Sequence, residues 1–331
     1  MKKILIIRFS SFGDIVQSLS CVNYLKTQYP EAKIDFLTKL EFKALVSLQE
    51  GVDEVIGFDK KQGLKGLIEL AASLREREYS LIYDAHLNLR SSIFKCFLLS
   101  PFYKFDARLV ERSKHRLKRI LYFKFKVNLF PSPNLARKSF IFPLETKLKL
   151  EAYQPTVLKW NFSQKVILGC RDRLKSNVEY VSLVLGANWD LKRWPVKYWA
   201  ELISNNPTQH FVLLGAGLEE SLAKKLEEQF QSNVTNLVSK LSLVESCYVL
   251  SKSKSFISAD TGLLHVADSL GVGGYALLGP TAFGYPSSMK IKVLEDSELK
   301  CRPCSKDGSG KCSQAVYKRC MVNLPPEMIQ F

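Results

Sequence analysis

The sequence predicts an α/β protein built from two doubly wound units with parallel sheets. Short apolar, β-branched runs alternate with stretches whose apolar residues recur at helical spacing. That alternation is interrupted once, between residues 143 and 177, and then starts again. The length of 331 residues suits two domains at roughly 150 residues each, and 46% hydrophobic with 24% charged residues is a globular composition. Collagen, coiled coil and disorder are excluded by the same figures.

The first run, Lys3 to Arg8, leads into Ser10-Ser-Phe-Gly-Asp14 and then Ile15, Val16, Leu19, Val22 and Leu25, which reads as strand, loop, helix. Ile34 to Leu37, Glu54 to Phe58 and Leu81 to Tyr83 are the next strands. Leu64, Leu67, Ile68, Ala71 and Leu74 mark a helix between the last two. In the second half, Tyr180 to Leu185, Phe211 to Leu214, Ser255 to Ile257 and Tyr275 to Leu278 read as strands, with helices near 196–204, 218–230 and 243–251. Crossovers between parallel strands of this kind are right-handed. Pro143, Pro155 and a mixed-charge stretch carry the interruption, so the expected domains are 1–160 and 161–331.

A formal net charge of +16 points to an anionic partner: nucleic acid, a phospholipid surface or a phosphorylated glycolipid. No apolar run approaches the ~18 residues of a spanning helix. The opening Met1-Lys-Lys-Ile-Leu-Ile-Ile-Arg8 reaches an arginine too soon for a signal peptide. Eight cysteines without a secretory signal suit a reducing compartment, and the expected location is the cytoplasm.

Four loops carry chemistry. Ser258-Ala-Asp-Thr-Gly-Leu-Leu-His265 follows a strand and opens a helix, where unpaired backbone N–H groups and a positive dipole end favour a phosphate. Asp260 or Thr261 could cap that helix, and Thr261 and His265 share one face; the plain alternative is that Asp260 is only an N-cap and His265 a half-buried surface histidine. Gly186-Ala-Asn188-Trp-Asp-Leu-Lys192-Arg-Trp-Pro195 sits at another strand end; Lys192 either brings an ammonium to a diphosphate or belongs to a solvated basic loop. In Leu213-Leu-Gly-Ala-Gly-Leu-Glu219, the carboxylate can accept from ribose hydroxyls or simply suit the helix dipole. Gly215-Ala-Gly217 lacks the full G-x-G-x-x-G pattern, so it is not read as a dinucleotide fingerprint and is weak evidence for NAD. In Ser10-Ser-Phe-Gly-Asp14, Asp14 is either a general base or an N-cap.

Between Tyr103 and Lys138, eleven lysines and arginines stand against Asp106 and Glu111, interleaved with Tyr103, Phe105, Tyr122, Phe123 and Phe125. This amphipathic basic stretch suits an anionic membrane surface; a solvated helix face and a nucleic-acid patch are the alternatives. The tail holds Cys301-Arg-Pro-Cys304, Cys312 and Cys320, a local structural element as disulfide or zinc site, or free thiols. Cys21, Cys96, Cys170 and Cys247 lie in apolar segments and are expected in the core.

Taken together, Ser10-Ser-Phe-Gly-Asp14, Lys192-Arg-Trp-Pro195, Asp260-Thr-Gly-Leu-Leu-His265 and Gly279-Pro280-Thr281 resemble the lipopolysaccharide heptosyltransferases, glycosyltransferase family 9, across nearly the whole chain. The resemblance implies a GT-B fold, two Rossmann-like domains facing across a cleft, with the acceptor on the amino-terminal side and the nucleotide sugar on the carboxyl-terminal side. It implies inverting transfer of heptose from ADP-heptose to the lipopolysaccharide inner core, with no metal and no cofactor, and with no nucleic acid as partner.

By position, Asp14 is the expected base and Lys192 the diphosphate ligand. Asp260, Thr261, Gly262 and His265 line the diphosphate and sugar pocket, Glu219 holds the ribose and Leu241 lies beside the adenine. Gly186 and Asn188 are expected beside the phosphates, although the paired hydroxyl residues of some members are missing there. Ser20 replaces a proline found in many members. The location implied is the cytoplasm, peripheral on the inner membrane. The competing readings are a nucleic-acid-binding α/β protein using residues 103–138 and the cysteine tail, and a transfer-inactive scaffold.

Overall fold

A computed structural model describes residues 2–175, 178–281 and 283–331. Its contacts divide the chain into two units, one of residues 1–115 and 137–161 and the other of residues 116–136 and 162–331. The expected division at residue 160 therefore lacks one excursion: the segment 116–136 packs with the second unit.

Strands β1 (Lys3–Ile7), β2 (Lys33–Lys39), β3 (Glu54–Phe58), β4 (Leu81–Asp84) and β5 (Leu109–Glu111) form the first sheet, in the order β3-β2-β1-β4-β5. All its pairings are parallel. Leu5 and Ile7 bury one face of β1 in a core with Leu37, Ile56, Leu67, Leu74 and Phe94. Ile4 and Ile6 are equally buried on the other face. This is why the strand reads as a continuous apolar run rather than an alternating one. Helices 63–75 and 89–98 pack together, as do helices 12–28 and 138–148.

The second sheet comprises β6 (Tyr180–Val184), β7 (His210–Leu214), β8 (Val234–Asn236), β9 (Ser255–Ala259), β10 (Gly274–Leu277) and β11 (Ile291–Leu294), in the order β11-β10-β9-β6-β7-β8. It too is wholly parallel. Strand order reverses between β1 and β4 in one sheet and between β6 and β9 in the other. Helices that start at these reversals diverge to opposite faces and leave a crevice at the strands' carboxyl ends, where open α/β sheets take ligands.

The strands expected from sequence are present, with ends shifted by one or two residues. The short β5, β8 and β11 were not expected. Helices 89–98, 116–125, 138–148 and 164–171 are also additions; Pro143 lies inside helix 138–148 rather than in a break. Residues 176 and 177, at the end of the expected interruption, lie outside the described residues. No helix among the described residues is long and apolar enough to cross a membrane.

Candidate active site

Every residue expected to meet the nucleotide sits at the carboxyl end of the second sheet. Gly186, Asn188 and Lys192 follow β6, Glu219 follows β7, Leu241 follows β8, and Asp260, Thr261, Gly262 and His265 follow β9. The β6 and β9 loops flank the point where strand order reverses, so Lys192 and Asp260 meet although they are far apart in sequence.

Asp260 is not an N-cap. Thr261 occupies that position before helix Gly262–Leu270, and its hydroxyl pairs with Ser258 Oγ at 3.0 Å rather than with the helix's own N–H groups. The Asp260 carboxylate instead gathers three side chains. Lys192 Nζ lies 2.9 Å from Oδ2 and also donates to the Asp260 carbonyl at 2.7 Å. Thr281 Oγ1 donates to Oδ2 at 2.7 Å, and His265 Nε2 stands 3.7 Å from Oδ1. An ammonium has three donors. Two of these are directed at Asp260, whose carboxylate holds the ammonium beside the helix start.

The loop that presents Lys192 is rigidly mounted. Trp194 is buried against Tyr198 and Trp199, and its Nε1 donates to the Leu324 carbonyl at 2.8 Å. Asp190 accepts from Tyr317 Oη at 2.7 Å and pairs with Lys318 Nζ at 3.2 Å. The carboxyl-terminal tail thus braces this loop from outside. Gly308, at φ +88°, lies so close that a Cβ there would stand 2.6 Å from Lys192 Cγ.

Glu219 is buried and presses on the β6 loop: a Cβ on Gly186 would fall 2.3 Å from its Oε1. Arg193 spans the same space, donating from Nε to the Ala187 carbonyl at 3.0 Å and reaching Glu219 Oε1 at 3.7 Å. Asn188 is exposed, and Leu241 is half-buried just before helix Leu243–Ser251.

In the first unit, Asp14 lies in the first turn of helix Phe12–Gln28, whose N-cap is Ser11. It accepts from Ser11 Oγ at 2.9 Å and from Arg8 at 2.6 Å. Arg8 is almost fully buried and also donates to the Ala85 carbonyl at 2.6 Å, which ties the β1 loop to the β4 loop at this sheet's own reversal point. Beside them, burial and the Arg8 charge push the His86 imidazole down to about 4.

Sequence reasoning assigned no role to Arg8, Arg193, Thr281 or Arg302. Arg302 lies between two tail cysteines and pins the β10 loop by donating to the carbonyls of Gly279 and Leu278 and pairing with Glu295 at 2.8 Å. All eight cysteines are free thiols, so the tail is held by Arg302, Tyr317 and Lys318 rather than by a disulfide. Among the described residues, no cluster of three or more His, Cys, Asp or Glu side chains is arranged to hold a metal. Cys96 is only half-buried, unlike Cys21, Cys170 and Cys247, and so does not belong in the core.

Residues 67–312 match glycosyltransferase family 9 (heptosyltransferase). The chain belongs to glycosyltransferase family 9. Lipooligosaccharide heptosyltransferase 2 of Haemophilus influenzae is 28% identical, covering 98% of this chain and 96% of its own. The solved Escherichia coli ADP-heptose lps heptosyltransferase II superposes with a TM-score of 0.73 at 22% identity, over 99% of this chain and 96% of that one. An E. coli heptosyltransferase solved with ADP gives 0.67 at 22% identity, over 88% and 92%. The family's members are glycosyltransferases with the GT-B fold, and the two Rossmann-like sheets described above are that fold.

Proposed function

We propose that the protein transfers heptose from ADP-heptose to the inner core of lipopolysaccharide, with inversion at the anomeric carbon. The observation that carries this reading is the Lys192–Asp260 pair at the start of helix Gly262–Leu270: a cation fixed where backbone N–H groups already favour a diphosphate.

As the bond between the anomeric carbon and the β-phosphate oxygen breaks, its electron pair leaves with ADP. Lys192 and the N–H groups following Thr261 face that growing charge. Thr261, Gly262 and His265 line the sugar and diphosphate, Glu219 receives the ribose hydroxyls, and Leu241 flanks the adenine. Gly186 and Asn188 complete the phosphate side. The nearby carboxylates are already engaged, Asp260 by Lys192 and Thr281 and Glu219 by Arg193. Side chains rather than a divalent ion then balance the diphosphate.

Asp14 takes the proton from an acceptor hydroxyl while that oxygen's electron pair forms the new bond to the anomeric carbon. Base catalysis of this kind contributes on the order of 10² to 10⁴ in rate. The first unit is the acceptor-binding domain and the second the nucleotide-sugar domain. The protein works in the cytoplasm, peripherally on an anionic membrane surface where the acceptor glycolipid resides.

Incubation with ADP-heptose and a panel of truncated lipopolysaccharide acceptors, read by product mass, tests the proposal. A mass gain of one heptose on an inner-core acceptor is expected. Absence of any heptosylated product across the panel rejects it.

A further inference from the structure

Helix Arg116–Phe125 has no buried residue, yet it is rich in apolar side chains. The structure divides its surface into two faces. Tyr122 and Phe123 turn inward, with ring centroids 6.3 and 5.9 Å from Phe283, and Arg119 lies over the same ring at 5.4 Å. Lys126, just beyond the helix, donates to the Cys301 carbonyl at 2.9 Å and to the Pro303 carbonyl at 2.6 Å. Two aromatics that a sequence reading gives to a membrane are therefore the ones that fasten the helix to the second unit.

The opposite face carries Leu117, Ile120 and Phe125, which are 71%, 48% and 65% exposed. Among them stand the exposed Arg116, Lys118 and Lys124. The helix contains no acidic residue. Val127 and Leu129, 47% and 50% exposed, extend the apolar strip past its end. Apolar side chains bounded by lysine and arginine on one helix face suit a surface that is apolar below and negative above.

We propose that this outward face docks the protein on a bilayer of anionic phospholipid, with Leu117, Ile120 and Phe125 entering the headgroup boundary and Arg116, Lys118 and Lys124 meeting the lipid phosphates. The proposal rests on the peripheral membrane placement given above and assigns it to the second unit. A polyanion such as nucleic acid would engage the same cations and could stack on Phe125, but the aliphatic Leu117 and Ile120 offer it no ring to stack on and favour the bilayer.

The test is co-sedimentation of the full chain with vesicles of equal parts phosphatidylglycerol and phosphatidylcholine, and with phosphatidylcholine alone. Binding to the first and not the second is expected. The triple substitution Leu117→Ser, Ile120→Ser, Phe125→Ser is expected to weaken it roughly tenfold or more, and Lys124→Glu by about fivefold or more. Both variants should keep the wild-type thermal shift with ADP and full transfer to a deacylated, soluble acceptor. No binding to the mixed vesicles, or equal binding by the triple variant, overturns the proposal. Loss of transfer by the wild-type chain to the soluble acceptor counts instead against the heptosyltransferase reading.

Discussion

One nitrogen of the Arg8 guanidinium meets the Asp14 carboxylate at 2.6 Å while another donates to the Ala85 carbonyl at 2.6 Å. A single buried side chain thereby holds the first turn of helix Phe12–Gln28 against the loop after β4. If Asp14 removes the acceptor proton, Asp14→Asn should lower kcat by about 10² or more while leaving ADP affinity intact. Arg8→Lys keeps a charge but not the planar fork that makes both contacts. It should lower kcat with little change in donor KM. Steady-state kinetics on both variants checks this; transfer retained by Asp14→Asn removes the assigned role.

Lys192 depends on its neighbours for position. Lys192→Ala should weaken ADP binding about tenfold or more, since a charge-assisted hydrogen bond is worth roughly 1.5–3 kcal/mol. Gly308→Ala is expected to act in the same direction more mildly, because the added Cβ would lie 2.6 Å from Lys192 Cγ at a backbone φ of +88°. Titration calorimetry with ADP would show either effect. An unchanged Kd for Lys192→Ala would remove that residue from the diphosphate site.

Gly186→Ala would set a methyl 2.3 Å from Glu219 Oε1 and push the carboxylate out of its place beside Arg193. Reduced affinity for ADP is expected, with smaller loss for inorganic diphosphate, which has no ribose. Equal losses for both would place the effect on the phosphate side, at Gly186 itself, rather than on the ribose.

His86 links stability to acid. Its folded pKa of about 4 lies below the ordinary value of 6.5, owing first to burial and then to the Arg8 charge. At pH above 6.5 neither folded nor unfolded chain carries this proton. As pH falls from 6.5 to about 4 the unfolded chain takes it up and the folded one does not, so stability declines through that window. Urea unfolding of His86→Gln at several pH values should show a shallower decline than the wild type.

Lys95 and Asp84 form an ion pair at 2.6 Å with both side chains fully buried, and Lys95 also reaches Glu111. Burial opposes the lysine's charge, but Asp84 and Glu111 raise its pKa overall. Asp84 accepts from the His86 and Leu87 N–H groups as well, so it shapes the loop beside Asp14. Lys95→Met leaves the carboxylate uncompensated and should cost about 3–5 kcal/mol in denaturant unfolding.

Local pattern was enough for most of the sheet. β1, β6 and β7 are buried on both faces, so each is written as a near-continuous apolar run, whereas β3, at the sheet's edge, buries only Ile56 and Phe58 on one face. β5 and β8 have three residues each, too few for any period to show. The motif residues at strand ends were also legible, because glycines and a tryptophan-proline pair mark loops by their own conformational demands.

What the sequence determined by itself was the alternation of strand and helix, the family, and the loops where chemistry gathers. These follow from short-range periodicity and from residue types whose backbone preferences are local. Only the tertiary structure decided that Asp260 gathers Lys192, Thr281 and His265, that Arg8 grips Asp14, and that Tyr122 and Phe123 face inward while Leu117, Ile120 and Phe125 face out. Those outcomes depend on which strands become neighbours and on which face of a helix finds a partner. Contacts between residues distant in sequence set both, and no window along the chain contains them.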